Sequence, residues 1–119
     1  MSHFENCESR FENLESYWTD IYNEIIDFSI VEKIVEVSKL LRSTRKAHVF
    51  CQRALVDLTG SINSVNGRMT RETVDAINFT IRSGLGKQLK MAIAHYAANY
   101  IQPKVSPSEY SEYLKTLFR

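Results

Sequence analysis

The apolar residues of the first 28 positions recur at the spacing of an α-helix. The steps between them alternate between three and four residues, through Phe4, Cys7, Phe11, Leu14, Trp18, Ile21, Ile25 and Phe28. Residues three and four apart lie on one face of a helix, so the pattern predicts a long amphipathic helix with this whole set on its inward face. An apolar stripe of this length has to be covered, and the helix is expected to organise the core.

The end of this first helix allows two interpretations. Ser29 and Glu32 have the spacing of a capping box, which predicts that the first helix ends near Asp27 and that a second one then begins. The apolar pattern nevertheless continues through Ile30 and Ile34. A single helix that runs past Ser29 is therefore the alternative.

A second helical region is predicted from Ile30 to Leu58, with Gly60 at its end and Ser43–Thr44 as a place where it could divide. Four basic residues of this region are spaced three, four and seven apart: Lys39, Arg42, Lys46 and Arg53. On one continuous helix they fall within a sector of roughly 60°, nearly opposite the apolar face. The pattern therefore predicts one exposed basic stripe.

The remainder of the chain is also predicted to be helical. Ser61–Met69 is expected to be a loop, because Asn66-Gly67 is a strong turn signal, and Arg82–Gly86 is expected to be a sharp turn or hinge between helices. Three helices are predicted around them: Arg71–Ile81 capped by Thr70, Lys87–Ile101, and Pro107–Phe118 capped by Ser106. Together these elements predict an all-α fold, a single domain over residues 1–119 with about five helices in a bundle-like packing.

Composition is ordinary for a globular domain of this size. The chain has 119 residues, of which 44% are hydrophobic and 24% charged, and only four glycines and two prolines. No apolar run approaches the ~20 residues of a membrane span, and Met1–Arg10 lacks the pattern of a signal peptide. We therefore expect a cytoplasmic protein that has no membrane partner.

The cysteines are expected to be structural, and the histidines are not expected to bind a metal. Cys7 and Cys51 both fall in helical patterns, which is typical of buried thiols in a reducing compartment. The histidines have no Cys or His partner at ligand spacing. The sequence therefore predicts neither a metal site nor a cofactor.

Charge is distributed unevenly along the chain. Residues 1–38 hold nine acids and two bases, a balance of −7, whereas residues 39–104 hold eleven bases and three acids, a balance of +8. Such asymmetry indicates a charged partner. The alternative is that the acidic helix and the basic helices neutralise one another within the fold.

The charge pattern favours a non-catalytic accessory or regulatory protein that binds a macromolecule through the basic face of its middle helix. Nucleic acid is the preferred partner, with an acidic protein surface close behind, because basic side chains bind phosphates by charge. The aromatic residues mostly occupy apolar helix positions, so no base-stacking surface is expected. The predicted binding residues are Lys39, Arg42, Arg45, Lys46, Arg53, Arg68, Arg71, Lys87 and Lys90.

A different kind of function is also open. The apolar pattern of helix 4–28 resembles a coiled-coil seam, and it could act as a protein-interaction, inhibitor or oligomerisation module, including self-association through this helix.

One short run resembles a known enzyme family. Arg42 and His48, in RSTRKAH, resemble the arginine–histidine motif of the HEPN family of small helical ribonucleases. The resemblance implies a dimer in which paired Arg and His side chains act on RNA. The rest of the chain carries no nucleophile–base pair, paired-carboxylate signature or cofactor motif. We therefore expect a protein that is not an enzyme, with Arg42 and His48 at a solvated surface.

Overall fold

Five α-helices form most of the computed structural model, which describes residues 20–119. They are α1 (Phe28–Leu41), α2 (Thr44–Leu58), α3 (Arg71–Thr80), α4 (Gly86–Ile101) and α5 (Pro107–Leu117). A π-helical turn (Ile81–Leu85) joins α3 to α4, and a short 3₁₀ turn (Gln102–Lys104) follows α4. No strand occurs in this part of the chain, and the helices pack into one globule. The predicted all-α fold of about five packed helices is confirmed.

The predicted helix from Phe4 to Phe28 lies mostly outside the described residues, as does Cys7. Where the description begins, residues 20–22 are helical and the chain then turns through residues 23–26. Asp27 caps α1, accepting hydrogen bonds from the backbone N–H of Ser29 at 2.9 Å and from its hydroxyl at 2.7 Å. A continuous helix past Ser29 is thus wrong, and the new helix is capped by Asp27 rather than by Ser29.

The turn before α1 is held by α3, because Asn78 accepts from the Ile26 N–H at 3.0 Å and donates to the Glu24 carbonyl at 2.9 Å. These bonds satisfy backbone groups that have left the helix. The turn that they hold also changes the direction in which the following side chains face. Phe28, predicted to face inward, is 71% exposed at the start of α1, whereas Ile25 is buried.

The second helical region divides at the predicted place. Arg42 adopts the left-handed conformation at φ +52°, and Ser43 caps α2 by accepting from the Lys46 N–H at 3.1 Å. The basic residues predicted to share one stripe are therefore carried by two helices. Lys39 and Arg42 lie at the end of α1, and Lys46 and Arg53 lie on α2.

The core is formed chiefly where α1, α2 and α4 meet. The fully buried side chains there include Ile34 and Val37 of α1, Ala47 and Leu55 of α2, and Leu89, Ile93 and Ala97 of α4. Small residues on α4 let its neighbours approach closely. None of the helices described is both long enough and apolar enough to cross a membrane.

The junction between α3 and α4 is a kink. Gly84 lies within it at φ +81°, a conformation that other residues adopt only with strain. The predicted helix–helix connection is therefore present, in the form of a π-helical turn.

A buried lysine joins α5 to α1. Lys33 is 4% exposed, and its ammonium donates to the Leu117 carbonyl at 2.6 Å and to the Glu36 carboxylate at 2.7 Å. Leu117 is the last residue of α5, where carbonyl groups lack a partner within the helix. Lys33 supplies that partner, and Glu36 balances its charge.

Replacement of Lys33 by Met should weaken this contact. The variant keeps the aliphatic stem but leaves the Leu117 carbonyl and the Glu36 carboxylate without the ammonium, so we expect a loss of about 2 kcal/mol in the free energy of unfolding, measured in urea. Lys115→Met is the matched control, since Lys115 forms an exposed ion pair with Glu112 at 3.2 Å. The free energy of unfolding of this control variant should fall by less than about 0.5 kcal/mol. Equal losses in the two variants would contradict a structural role for Lys33.

Candidate nucleic-acid interface

The basic residues predicted from the sequence lie in several distinct surroundings. Arg71 is paired with Glu24 at 2.7 Å, and Lys90 lines a pocket together with Glu32 and Glu36. Carboxylates thus already accompany these two positions. Lys39 borders a groove on α1 that Glu32 and Glu36 also line.

The remaining predicted residues also divide. Arg42 and Lys87 are exposed, at the end of α1 and the start of α4. Arg45 and Arg68 border one cleft beside the irregular segment between α2 and α3, residues 61–70, which we call the 61–70 loop. Lys46 and Arg53 lie on α2, and Lys46 reaches α4. The structure thus brings together pairs of these residues rather than one stripe.

The Lys46 ammonium lies over the ring of a tyrosine of α4. Its Nζ is 4.9 Å from the ring centroid of Tyr100, and the Nζ of Lys104 is 3.8 Å from the same centroid. Lys104 also donates to the Tyr100 carbonyl at 3.1 Å. One half-buried aromatic ring therefore positions two ammonium groups through cation–π contacts.

These charges act on the Tyr100 phenol. Hydrogen bonding by Lys46 is the main cause that lowers the pKa of Tyr100, burial opposes it, and the charges of Lys46 and Lys104 lower it further. Among residues 20–119, no carboxylate lies within 4.0 Å of either ammonium. The positive potential around the ring is therefore not cancelled by an adjacent ion pair in this part of the chain.

A second tyrosine of α4 extends this surface. The Tyr96 hydroxyl donates to the Asp57 carboxylate, and the ring of Phe50 stacks against Tyr96 with centroids 6.1 Å apart. The hydrogen bond to Asp57 raises the pKa of Tyr96, burial adds to the rise, and the charge of the exposed Arg53 opposes it. We call the surface formed by Lys46, Arg53, Tyr96, Tyr100 and Lys104 the Tyr100 face.

Sequence reasoning missed the tyrosines and Lys104 as members of the candidate site. Lys104 follows Tyr100 by four residues, a spacing that brings side chains together on a helix and could have indicated the contact. The contact between Lys46 and Tyr100 joins residues 54 positions apart. No local pattern in the sequence indicates this contact.

Of the two residues that resemble the HEPN arginine–histidine motif, one is exposed and the other is buried. Arg42 is exposed at the end of α1, as expected, but the expectation of a solvated His48 is wrong, because its side chain is 1% exposed. Its Nδ1 lies 3.0 Å from the Gly67 carbonyl, and its Nε2 lies 2.7 Å from the Tyr22 hydroxyl. Two segments that are distant from His48 in the sequence, the 61–70 loop and the segment before α1, cover the ring. The imidazole therefore has no exposed surface that could contact RNA.

The hydrogen bonds of His48 determine which of its two ring nitrogens carries the proton. The Gly67 carbonyl can only accept, so Nδ1 carries the hydrogen and Nε2 accepts from the Tyr22 hydroxyl. Desolvation lowers the pKa of His48 to about 4, although the bond to Gly67 opposes the shift. The imidazole is therefore neutral at physiological pH and serves as a structural bridge.

Gln52, one helical turn after His48, holds the same loop. Its carbonyl oxygen accepts from the N–H groups of Asn66 at 2.9 Å and Gly67 at 2.8 Å, and its amide nitrogen donates to the Arg68 carbonyl at 2.9 Å. The 61–70 loop, predicted from the sequence as Ser61–Met69, is therefore fixed to α2 along its second half. Cys51 beside it is fully buried, and burial raises the pKa of this thiol to about 12, as expected for a core thiol.

Comparison of the chain with protein-family models, with curated proteins and with solved structures finds no significant match.

The buried His48 should make stability depend on pH. Below pH 6.5 the unfolded chain takes up a proton at His48, whereas the folded chain does not until about pH 4. Stability is therefore lost as pH falls through this interval, by about 3 kcal/mol for this group. Urea unfolding of the wild type and of His48→Gln across this range measures the effect.

The variant removes the titrating group, so its stability should depend less on pH, and the gap to the wild type should shrink as the pH falls. A gap that stays constant from pH 7.5 to pH 4 would show that His48 is not held neutral.

Proposed function

We propose that this protein is a non-catalytic nucleic-acid-binding protein and that the Tyr100 face contacts the phosphate backbone. The observation that carries the proposal is the convergence of Lys46 and Lys104 on one tyrosine ring. Both ammonium groups lie within 4.9 Å of that ring centroid, so their positive charges act together on a phosphate bound beside the ring. Cation–π contact with Tyr100 holds both side chains in place before the ligand arrives.

The neighbours of this lysine pair support a phosphate ligand. Arg53 adds a third cation on α2, and its positive charge opposes the rise in the pKa of Tyr96. Asp57 is the acidic neighbour, and its carboxylate is engaged by the Tyr96 hydroxyl. A polymer of phosphates matches several cations on one surface, and its binding releases counterions.

Loss of the two lysines should weaken binding and its dependence on salt. We expect the Lys46→Gln/Lys104→Gln variant to bind a labelled 20-nucleotide single strand at least about tenfold more weakly in fluorescence anisotropy at 50 mM salt. The slope of log affinity against log salt should fall by about 1.4, which corresponds to two phosphate contacts. Arg82→Gln/Lys115→Gln removes the same net charge at exposed positions elsewhere and should change affinity less than twofold.

No binding by the wild type at low salt would contradict the proposal, and so would an equal loss in the control variant. Retained affinity for an acidic peptide, with none for DNA or RNA, would assign the surface to an acidic protein partner.

A protein-interaction module is the second candidate, and exposed apolar side chains favour it. Ile26 is 54% and Phe28 71% exposed at the described end of the 4–28 stretch. Phe28 also lines a groove on α1 with Val31 and Val35, and charged residues of α1 and Arg119 border the same groove. Side chains of this size in water at the mouth of a groove are typical of a contact surface.

Sedimentation of the full chain tests self-association through this groove. The wild type should form a dimer as its concentration rises, and Phe28→Ser should remain a monomer. Val56→Ser is the control, because Val56 is 44% exposed on α2. A wild type that stays monomeric at every concentration would rule out self-association. Equal dimerisation of the wild type and Phe28→Ser would show that Phe28 takes no part in the dimer contact.

A further inference from the structure

A cleft separates the first turn of α2 from the 61–70 loop. Arg45 borders it on the helix side and Arg68 on the loop side, and Thr44 and Asn66 also line it. Among the described residues that line this cleft, none carries a carboxylate. We call it the arginine cleft.

The position of Arg45 depends on a glycine. A Cβ atom on Gly67 would lie 2.5 Å from the Cγ of Arg45 and 3.2 Å from its backbone oxygen, so no larger residue fits there without displacing the arginine. Gly67 also has φ +79°. The stem of Arg45 therefore lies directly on the loop backbone, one residue before Arg68.

The loop that carries Arg68 is anchored to the helix that carries Arg45. Gln52 accepts from the Gly67 N–H and donates to the Arg68 carbonyl, and His48 bonds the Gly67 carbonyl. Both anchoring side chains are 1% exposed. The backbone positions of the two arginines are thus fixed relative to each other before any ligand binds.

We propose that the arginine cleft binds a phosphate group between the guanidinium groups of Arg45 and Arg68. Within residues 20–119, no carboxylate lies within 4.0 Å of either guanidinium. The planar fork of arginine donates two parallel hydrogen bonds to phosphate oxygens. Because the backbone beneath both arginines is already fixed, only their exposed side chains have to be ordered on binding. This site requires no polymer and lies apart from the lysine pair at Tyr100.

Inorganic pyrophosphate is the first probe, titrated into the full-length chain and followed by ¹H–¹⁵N NMR. We expect saturable shifts at the Gly67 amide and at the Nε–H signals of Arg45 and Arg68. Arg45→Gln and Arg68→Gln should each weaken binding at least about tenfold, because each removes a charged hydrogen-bonding partner. Arg82→Gln, at an exposed position of the π-helical turn, should leave affinity unchanged.

Arg68→Gln keeps the proposal testable if Arg45→Gln disturbs the loop, because it is the Arg45 stem that packs on Gly67. Thermal unfolding of each variant checks the fold. Shifts that do not saturate would overturn the site, as would an affinity that is unchanged in Arg68→Gln.

A second arm identifies the source of the phosphate. Single strands with a 5′-phosphate and with a 5′-hydroxyl are compared in the Lys46→Gln/Lys104→Gln background, where the Tyr100 face is weakened. Tighter binding of the phosphorylated strand that is lost in Arg68→Gln supports the site and assigns it to a nucleic-acid end. Saturable pyrophosphate binding without that preference supports the site and assigns it to a small phosphate compound, whether or not the Tyr100 face binds nucleic acid.

Discussion

Two buried polar side chains on one face of α2 hold the irregular parts of this fold in place. His48 and Gln52, one turn apart, bond to the segment before α1 through Tyr22 and to the loop through Asn66, Gly67 and Arg68. Gln52 also donates to Thr73 of α3 at 3.1 Å. Polar groups buried without partners are costly, so each bond restricts where the loop can lie. No buried side-chain nitrogen or oxygen in the described region lacks a partner.

The loop therefore behaves as part of the helical scaffold, and this matters for both candidate surfaces. The Tyr100 face lies where α2 meets α4, and the arginine cleft lies where α2 meets the loop. Neighbouring residues of one helix, Lys46 and Arg45, take part in the two surfaces. A helix whose buried side is fixed by its hydrogen bonds holds the backbone positions of its outer side chains fixed, which suits the binding of an extended charged ligand.

Sequence reasoning succeeded where the determining contacts are local. Thr70 and Ser106 cap α3 and α5 as predicted, since a cap is set within four residues. It failed where contacts between residues distant in the sequence determine the direction or burial of a side chain. The periodicity predicted an inward Phe28, but Asp27 starts a new helix and Asn78, fifty residues later, holds the turn. The basic run around His48 indicated a solvated residue, whereas the 61–70 loop folds back over it. The charged site was only partly predictable for the same reason, because Tyr100 gathers lysines from separate parts of the chain.

The contact between Lys33 and the last carbonyl of α5 has a consequence for how the molecule opens. Terminal helices commonly fray, since few contacts hold their ends. Here separation of α5 would strip a buried ammonium of one partner and leave a carbonyl without a donor, so partial detachment costs more than the loss of apolar contacts alone. The end of the chain is thereby coupled to α1, and the C-terminal helix is expected to unfold together with the core as one cooperative unit.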